Sequence, residues 1–145
     1  MKKDRYHRKV FYYETDKMGI VHHANYIRMM EEARIHLLEN LGLPYDRLEE
    51  MGLMIPVLHA ECKYKIPLRF GDAFQIDMVI TEMTGVRMSI VYTIYGEDGI
   101  TIHATGSTKH AFVDEQLHPI RLRRRFPEVY EMLLMTTLNK KEESK

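Results

Sequence analysis

The chain has 145 residues, the usual size of one domain, and is long enough to bury a hydrophobic core. Its 21 lysines and arginines balance its 21 aspartates and glutamates, and this zero net charge argues against a non-specific nucleic-acid binder. The single cysteine, Cys62, excludes an intramolecular disulfide and a cysteine-based zinc motif.

The sequence favours neither a membrane protein nor a secreted one. No apolar run is long enough to span a bilayer. The first ten residues, MKKDRYHRKV, lack the apolar core of a signal peptide. We therefore expect a soluble, cytoplasmic protein that folds as a single domain over residues 1–138.

The first half of the chain predicts a short strand and a long helix. Residues 8–13, RKVFYY, are β-branched and aromatic, which predicts a strand. Apolar residues then recur at spacings of three and four, which predicts a helix of about 17 residues. Asn25 suits the N-cap of this helix, and Gly42 suits its end. A second, short helix is predicted within residues 45–52.

The second half predicts a series of strands. Apolar residues alternate with polar ones in four runs, and the predicted inward sets are Ala60, Cys62, Tyr64 and Ile66; Phe74, Ile76, Met78 and Ile80; Met88, Ile90, Tyr92 and Ile94; and Ile100, Ile102, Ala104, Thr108 and Phe112. The segment GEDG at 96–99 predicts a hairpin turn. Residues 126–138 predict a closing helix with Pro127 in its first turn, and we expect residues 139–145 to be a disordered tail.

Strands that are grouped in sequence favour an antiparallel sheet with helices on one face. The long early helix, about 25 Å at 1.5 Å per residue, could lie across the concave face of such a sheet. The predicted fold class is α+β.

The segment ETDKMGIVHHANY, residues 14–26, separates the first strand from the long helix and allows three interpretations. The first is a connecting turn, because Asp16 and Gly19 occupy positions that suit these residues in a type I turn. The second is a metal site built on the adjacent histidines. Neighbouring side chains of an extended segment point to opposite faces, and no HxH or HExxH spacing is present, so we expect no metal.

The third interpretation is a catalytic loop. The N-terminus of a helix presents unpaired N–H groups and a partial positive charge, which can hold the oxyanion formed at an attacked carbonyl. Asp16, a few residues upstream of the helix, could attack that carbonyl or activate water. This arrangement permits acyl transfer but does not by itself select it over a turn.

Two motifs resemble those of a known family. The segment YYETDKMGIVHHANYIRMMEEAR, residues 12–34, resembles the signature of the hotdog-fold acyl-CoA thioesterases, in particular the 4-hydroxybenzoyl-CoA thioesterase group and its short-chain relatives. The segment YKIPLRFGD, residues 64–72, is similar to the family's strand that ends in Arg-x-Gly-Asp. The resemblance covers roughly residues 10–113. It implies a hotdog fold, in which an antiparallel sheet wraps around a central helix, and hydrolysis of acyl-CoA thioesters.

The resemblance also implies roles for individual residues. Asp16 matches the family's catalytic carboxylate, and Gly19 matches the glycine of the tight turn. His23 occupies the position whose backbone N–H points at the thioester carbonyl. These three residues form the expected catalytic set.

Three neighbouring residues are expected to contact the substrate, and one of them departs from the family's motif. Asn25 and Tyr26 match the start of the helix. Position 22 is commonly aromatic in the family and is His22 here, which leaves open the shape of the acyl pocket and an acid–base role for this imidazole. Other hotdog enzymes carry the working acid on the central helix, so Glu31 and Glu32 are secondary candidates, against the alternative of a solvated helix face.

A thioester substrate implies coenzyme A, whose phosphates need basic partners. Arginine forks suit phosphate geometry. We expect Lys63 and Arg69 to contact the substrate, although ordinary surface charge is the alternative. The further basic candidates are Lys65, Arg87, Lys109, Arg121, Arg123, Arg124 and Arg125. Because coenzyme A is part of the substrate, no separate cofactor is expected.

Two classes of function remain open from the sequence. The chain is either a hydrolase of acyl-CoA thioesters or a non-catalytic hotdog domain that binds acyl-CoA or an acyl carrier protein; a dehydratase is less favoured. We expect a homodimer or homotetramer, because exposed sheet edges invite pairing and a second subunit completes the cleft in this family's pattern. The sequence leaves open the acyl group and the choice between an anhydride and activated water.

Overall fold

The computed structural model describes the backbone of residues 4–143 and the side chains of residues 4–137. Over this range it contains a five-stranded sheet with the strand order β1-β3-β4-β5-β2. The strands are β1 (Tyr6–Lys9), β2 (Val57–Tyr64), β3 (Ala73–Met83), β4 (Arg87–Gly96) and β5 (Ile102–Ala111). The helices are α1 (Asn25–Asn40), α2 (Tyr45–Glu50), α3 (Leu122–Arg125) and α4 (Pro127–Glu143). The predicted α+β class is confirmed.

The alternation predicted for β3 and β4 is confirmed. Their buried residues are Phe74, Ile76, Met78 and Ile80 in β3, and Met88, Ile90, Tyr92 and Ile94 in β4. Of the set predicted for the last strand, Ala104 and Thr108 in β5 and Phe112 just after it are buried as predicted, but Ile100 is 78% exposed. Ile100 lies in the preceding hairpin turn, where its N–H donates to the Asp98 carboxylate, and it therefore never enters the strand.

The one-sided alternation predicted for β2 is wrong. Seven of its eight residues are exposed, and Cys62 is half-buried. β2 is the last strand of the sheet and follows only β5 in the strand order. A strand at such an edge presents an open row of backbone groups and side chains to its surroundings.

The first strand is shorter and earlier than predicted. β1 ends at Lys9, and residues 12–14 form a 3-10 turn instead of continuing the strand. The Phe11 N–H donates to the Glu14 carboxylate at 2.8 Å, which closes this turn. β1 pairs antiparallel with β3, with Tyr6 opposite Ile76.

The predicted helices are confirmed. Helix α1 ends just before Gly42, whose φ of +78° lies in the left-handed region that glycine adopts without strain. Helix α4 begins at Pro127 as predicted. Its backbone is helical through residue 143, whereas the sequence predicts disorder over 139–145, and residues 144 and 145 lie outside the described part. Between residues 4 and 143, no helix has the length and apolar character that a membrane span needs.

The chain divides into two compact units. The first comprises the residues up to Leu37 together with Glu61–Met78 and Tyr92–Gly106. In it α1 approaches β5 closely: a side chain at Gly106 would meet the Met30 methyl at 2.5 Å and the Glu61 carbonyl at 2.9 Å. Glycine at this position therefore sets how near the helix lies to the strand.

The second unit comprises Leu38–Ala60, Val79–Val91 and the residues from Ser107 onwards. Leu48, Phe112 and Leu122 are fully buried in its core. The prediction of a single domain over residues 1–138 stays a prediction.

Candidate active site

Asp16 lies at the start of a tight turn. Its carbonyl oxygen accepts the Gly19 N–H at 3.0 Å, and its carboxylate oxygen Oδ1 accepts the Met18 N–H at 2.8 Å. Gly19 has a φ of +78°, where a side chain would strain the backbone. The turn and the carboxylate interpretations therefore coexist, because one oxygen of Asp16 supports the turn and the other stays available.

The two sequence motifs come together at this turn. Ile20 pairs antiparallel with Arg69, and the Val21 N–H donates to the Leu68 carbonyl at 2.8 Å. The Arg69 guanidinium is also the nearest group, at 3.9 Å, to the position that a side chain on Gly19 would take. The second motif thus supports the loop that carries Asp16.

The predicted N-cap role of Asn25 is wrong. Asn25 is the first residue of α1, and its side-chain amide donates to the Glu14 carbonyl at 2.8 Å. The Ala24 N–H at the helix start instead donates to Nδ1 of His22 at 3.1 Å. This bond requires that His22 carry its proton on Nε2. Asn25 therefore fixes the helix to the preceding turn, while the imidazole of His22 satisfies a helix donor.

The backbone of His23 has one satisfied and one open group. Its carbonyl accepts the Tyr64 hydroxyl at 3.1 Å and the Tyr26 N–H at 3.3 Å. Its own N–H finds no acceptor among the described residues. A donor left open at a helix start is available to an external carbonyl oxygen.

Asp16 and His23 line the same cleft, which has a volume of about 240 Å³. The lining residues are Asp16, Met18, Ile20, Val21, His23, Tyr26, Tyr64, Lys65, Ile66 and Pro67. Of these, Asp16 alone carries a carboxylate and Lys65 alone an ammonium group. The cleft therefore brings together one candidate nucleophile or base, one residue whose N–H is open, and several apolar side chains.

The structure brings some of the sequence-predicted residues to the cleft and leaves others beside it. Asp16, His23 and Tyr26 line it. Lys63 is exposed on β2 and does not line the cleft, whereas its neighbour Lys65 does. The other predicted site residues outside the lining are Gly19, His22, Asn25 and Arg69.

Sequence reasoning missed Tyr64, Ile66 and Pro67 as cleft residues. They open the second motif, YKIPLRFGD, of which only the end was used. The Tyr64 ring meets the Tyr26 ring edge-on, with centroids 5.1 Å apart. Burial raises the pKa of Tyr26 to about 12, so this phenol is a neutral hydrogen-bond donor at physiological pH.

Arg8, Glu14 and Glu32 form an ion-pair network next to the loop that carries Asp16. The Arg8 guanidinium binds both carboxylate oxygens of Glu14 at 2.8 Å, and its Nε donates to Glu32 at 2.8 Å. Burial opposes ionisation of Glu14, but the hydrogen bonds from Arg8 and from the Phe11 N–H outweigh it and lower the pKa of this carboxyl group. The network ties the loop to helix α1, which carries Glu32.

The two carboxylates suggested on helix α1 lie away from the cleft. Glu32 is bound by Arg8 and by the Tyr6 hydroxyl at 2.8 Å. Glu31 is 64% exposed and lies 3.9 Å from Arg34. These positions favour the solvated or paired helix face over a catalytic role.

The described residues contain no cluster of metal ligands, but they do contain a cluster of basic side chains. No group of three or more His, Cys, Asp or Glu side chains there could hold a metal ion. In the second unit a cleft of about 650 Å³ is lined by Gly85, Val86, Arg121, Arg123 and Arg124, and is called the arginine cleft below. Its lining contains no acidic residue. It gathers most of the basic cluster that the sequence suggested for phosphates.

Comparison with known proteins connects this chain to a family. The sequence pattern of the thioesterase-like superfamily matches residues 10–135. An Aquifex aeolicus protein provisionally named an esterase is 42% identical over 108 residues, which are 74% of this chain and 83% of that protein. The Bacillus subtilis protein YneP, provisionally named an acyl-CoA thioesterase, is 39% identical over 122 residues, which are 83% of this chain and 87% of YneP.

A solved structure shows the same fold. A DHNA-CoA thioesterase from Staphylococcus aureus superposes with a TM-score of 0.88 at 29% identity, covering 97% of this chain and 94% of that protein. The hotdog fold expected from the sequence resemblance is thereby confirmed. The matched pattern, the two relatives and the shared fold agree, and the chain belongs to the thioesterase-like superfamily.

Proposed function

We propose that this protein hydrolyses acyl-CoA thioesters, with Asp16 as nucleophile or general base. The observation that carries the proposal is that Asp16 and His23, whose N–H finds no acceptor among the described residues, line one cleft. YneP and the S. aureus enzyme, by their names, act on acyl-CoA substrates. Transfer of that activity to this chain is part of the proposal.

The proposed reaction begins with the thioester carbonyl oxygen at the His23 N–H. An oxygen nucleophile, either the Asp16 carboxylate or water deprotonated by it, attacks the carbonyl carbon. The N–H and the helix dipole stabilise the oxyanion that forms. The carbon–sulfur bond then breaks, the thiolate of coenzyme A leaves and takes up a proton, and one water is consumed overall. If Asp16 attacks directly, water hydrolyses the resulting anhydride in a second step.

We also propose that the arginine cleft binds the phosphates of the substrate. Leu122 is fully buried, and its N–H donates to the Gly85 carbonyl at 2.6 Å, which holds α3 against the β3–β4 hairpin. Arg121, Arg123 and Arg124, which line the cleft, have no ion pair with a described acidic residue. Arg125 lies outside the lining, and its charge acts on the Asp114 carboxylate. An uncompensated group of arginine forks suits a phosphate.

The proposed assembly is a homodimer, or a homotetramer built from two dimers. β2 is one of the two edge strands of the sheet, and Val57 and Leu58 on it are 45% and 51% exposed. An open edge with large apolar side chains favours pairing with a second copy. A cytoplasmic location and use of acyl carrier protein thioesters belong to the same proposal.

A panel of acyl-CoA thioesters tests the function, with release of free coenzyme A as the readout. Aromatic, short-chain and long-chain acyl groups each enter the panel, and every assay is repeated after exhaustive chelation. We expect hydrolysis of at least one class, unchanged by the chelator. Binding of acyl-CoA without hydrolysis of any panel member would instead support the non-catalytic binding domain. A large loss on chelation that zinc restores would contradict the proposed metal-free chemistry.

A further inference from the structure

Tyr64 connects the second motif to the start of helix α1. It is the last residue of β2, and its hydroxyl donates to the His23 carbonyl, 41 positions earlier in the chain, at 3.1 Å. Its ring meets Tyr26 edge-on, and it also meets the His23 ring at a centroid distance of 6.4 Å. Tyr64 also lines the cleft that contains Asp16. The Tyr64 side chain thus lines the cleft and also binds the backbone of His23, another lining residue.

The hydroxyl of Tyr64 binds next to the open N–H group. The peptide between His22 and His23 carries that N–H. On one side, the His22 N–H donates to the Glu14 carbonyl at 2.8 Å. On the other side, the His23 carbonyl accepts the hydroxyl of Tyr64. Two backbone bonds hold the same segment as well, since the His22 carbonyl accepts the Asn25 N–H at 2.9 Å and the His23 carbonyl also accepts the Tyr26 N–H at 3.3 Å. Of these four bonds around the unpaired donor, that of Tyr64 is the one made by a side chain, and it comes from the segment most distant in the chain.

The hydroxyl can keep donating over the whole physiological pH range. Burial raises the pKa of Tyr64, and the neighbouring Cys62 thiol raises it further. The side chain is nevertheless 52% exposed, so its hydrogen bond competes with water and contributes little to the stability of the fold. The bond nevertheless links two distant segments, because its partners lie 41 positions apart and both residues line the cleft.

We infer that Tyr64 is a positioning residue that aims the His23 N–H at the carbonyl oxygen of the bound thioester. The inference rests on the proposed function. A donor fixed in advance stabilises the oxyanion without reorganising during the reaction. Loss of the hydroxyl leaves the donor in place but less well directed. Removal of an oxyanion donor lowers kcat on the order of 10²–10³-fold. We therefore expect a smaller loss of kcat when only the Tyr64 hydroxyl is removed.

Tyr64→Phe tests this inference, because it removes the hydroxyl and keeps the ring. The matched control is Tyr45→Phe, which makes the same change at the start of α2, where no hydrogen bond of the hydroxyl with a described residue is present. We expect Tyr64→Phe to lower kcat about tenfold with KM and melting temperature unchanged. The control should match wild type. A wild-type kcat for Tyr64→Phe, or a higher KM with unchanged kcat, would overturn the inference.

Amide hydrogen exchange gives a second readout that does not depend on turnover. Exchange of the segment 20–24 should be faster in Tyr64→Phe than in wild type and in Tyr45→Phe. Unchanged exchange would overturn the inference even if kcat fell. If wild type hydrolyses no acyl-CoA, the proposed function fails on that result alone. If, in that case, exchange were still faster in Tyr64→Phe, Tyr64 would only hold the backbone in place, and its catalytic positioning role would also be overturned.

Discussion

The Arg8 guanidinium lies against Glu14 so that Nη1 and Nη2 each reach one carboxylate oxygen at 2.8 Å. This fork fixes a residue whose backbone carbonyl accepts both the His22 N–H and the Asn25 side-chain amide. The start of α1, where the proposed oxyanion donor lies, is therefore held by a buried ion pair outside the cleft. Substitution of Glu14 should therefore act by weakening the contacts that hold the start of α1.

Glu14→Gln should destabilise the protein by about 2 kcal/mol at neutral pH, because it removes one of the two carboxylate partners of Arg8 in a mostly buried site and leaves only Glu32. Urea unfolding measures the free energy. The control is Glu49→Gln on the exposed side of α2, which should change it little.

The same pair predicts a dependence of stability on pH. The pKa of Glu14 is lowered from 4.5 in the folded state, so its contribution is complete above that value and is lost as the pH falls through the folded pKa. Wild type should keep its advantage over Glu14→Gln above pH 4.5 and lose it as the pH falls below that value. An equal decline of both proteins would contradict this prediction.

Asp16→Asn should fold normally and bind acyl-CoA but lose about a hundredfold or more in turnover. Asparagine keeps an oxygen to accept the Met18 N–H and so preserves the turn, but it removes the charge and the basicity. Single-turnover assays measure the loss, thermal melts check folding, and Asp46→Asn on α2 is the control. If Asp16→Asn turns over like wild type while a Glu31 or Glu32 variant is inactive, the chemistry belongs to the helix.

His22→Ala should cost far less activity than Asp16→Asn, because the His23 N–H survives the change. It removes the acceptor of the Ala24 N–H and should therefore lower stability by about 1 kcal/mol, as loss of a helix cap does. His22→Asn should recover most of that stability, since its side-chain oxygen can accept the same N–H. Melts and single-turnover rates of both variants separate the effects. Inactivity of His22→Ala with normal stability would assign acid–base chemistry to the imidazole.

Leu58→Glu should disrupt the proposed dimer, because it places a charge on the open edge of β2 where an apolar side chain is exposed. Sedimentation at micromolar concentration should show an oligomer for wild type and a monomer for the variant. Ile100→Glu, a matched change on the exposed hairpin, should leave the oligomer intact. A monomeric wild type with full activity would refute the proposed assembly.

The double variant Arg121→Ala, Arg124→Ala should raise KM for acyl-CoA about tenfold if the arginine cleft binds the phosphates. KM for the matching acyl-pantetheine thioester, which lacks the nucleotide, should not change. Arg47→Ala on α2 is the control for loss of surface charge. Equal effects on both substrates would show that the arginines support the fold and not the phosphates.

The sequence by itself determined the elements whose signals are local. Alternation at 74–80 and 88–94 predicted the buried faces of β3 and β4, because side chains of a strand alternate between its two faces wherever the strand lies. The positions of Asp16 and Gly19 predicted the tight turn, since the carboxylate and the missing side chain stabilise that backbone directly. The family motif then assigned Asp16 its candidate role.

Only the tertiary structure decided which groups meet across long distances in the chain. Alternation placed Tyr64 with an inward set, but β2 is an edge strand, and Tyr64 reaches His23 instead. Asn25 has the chemistry of an N-cap, but the Glu14 carbonyl lies within reach and binds its amide. Local propensity carries no information on such partners, because a hydrogen bond goes to whichever acceptor the packed chain brings to about 3 Å. The α+β class was therefore predictable from periodicity and the hotdog fold from the family resemblance, whereas the walls and supports of the cleft depended on packing between distant segments.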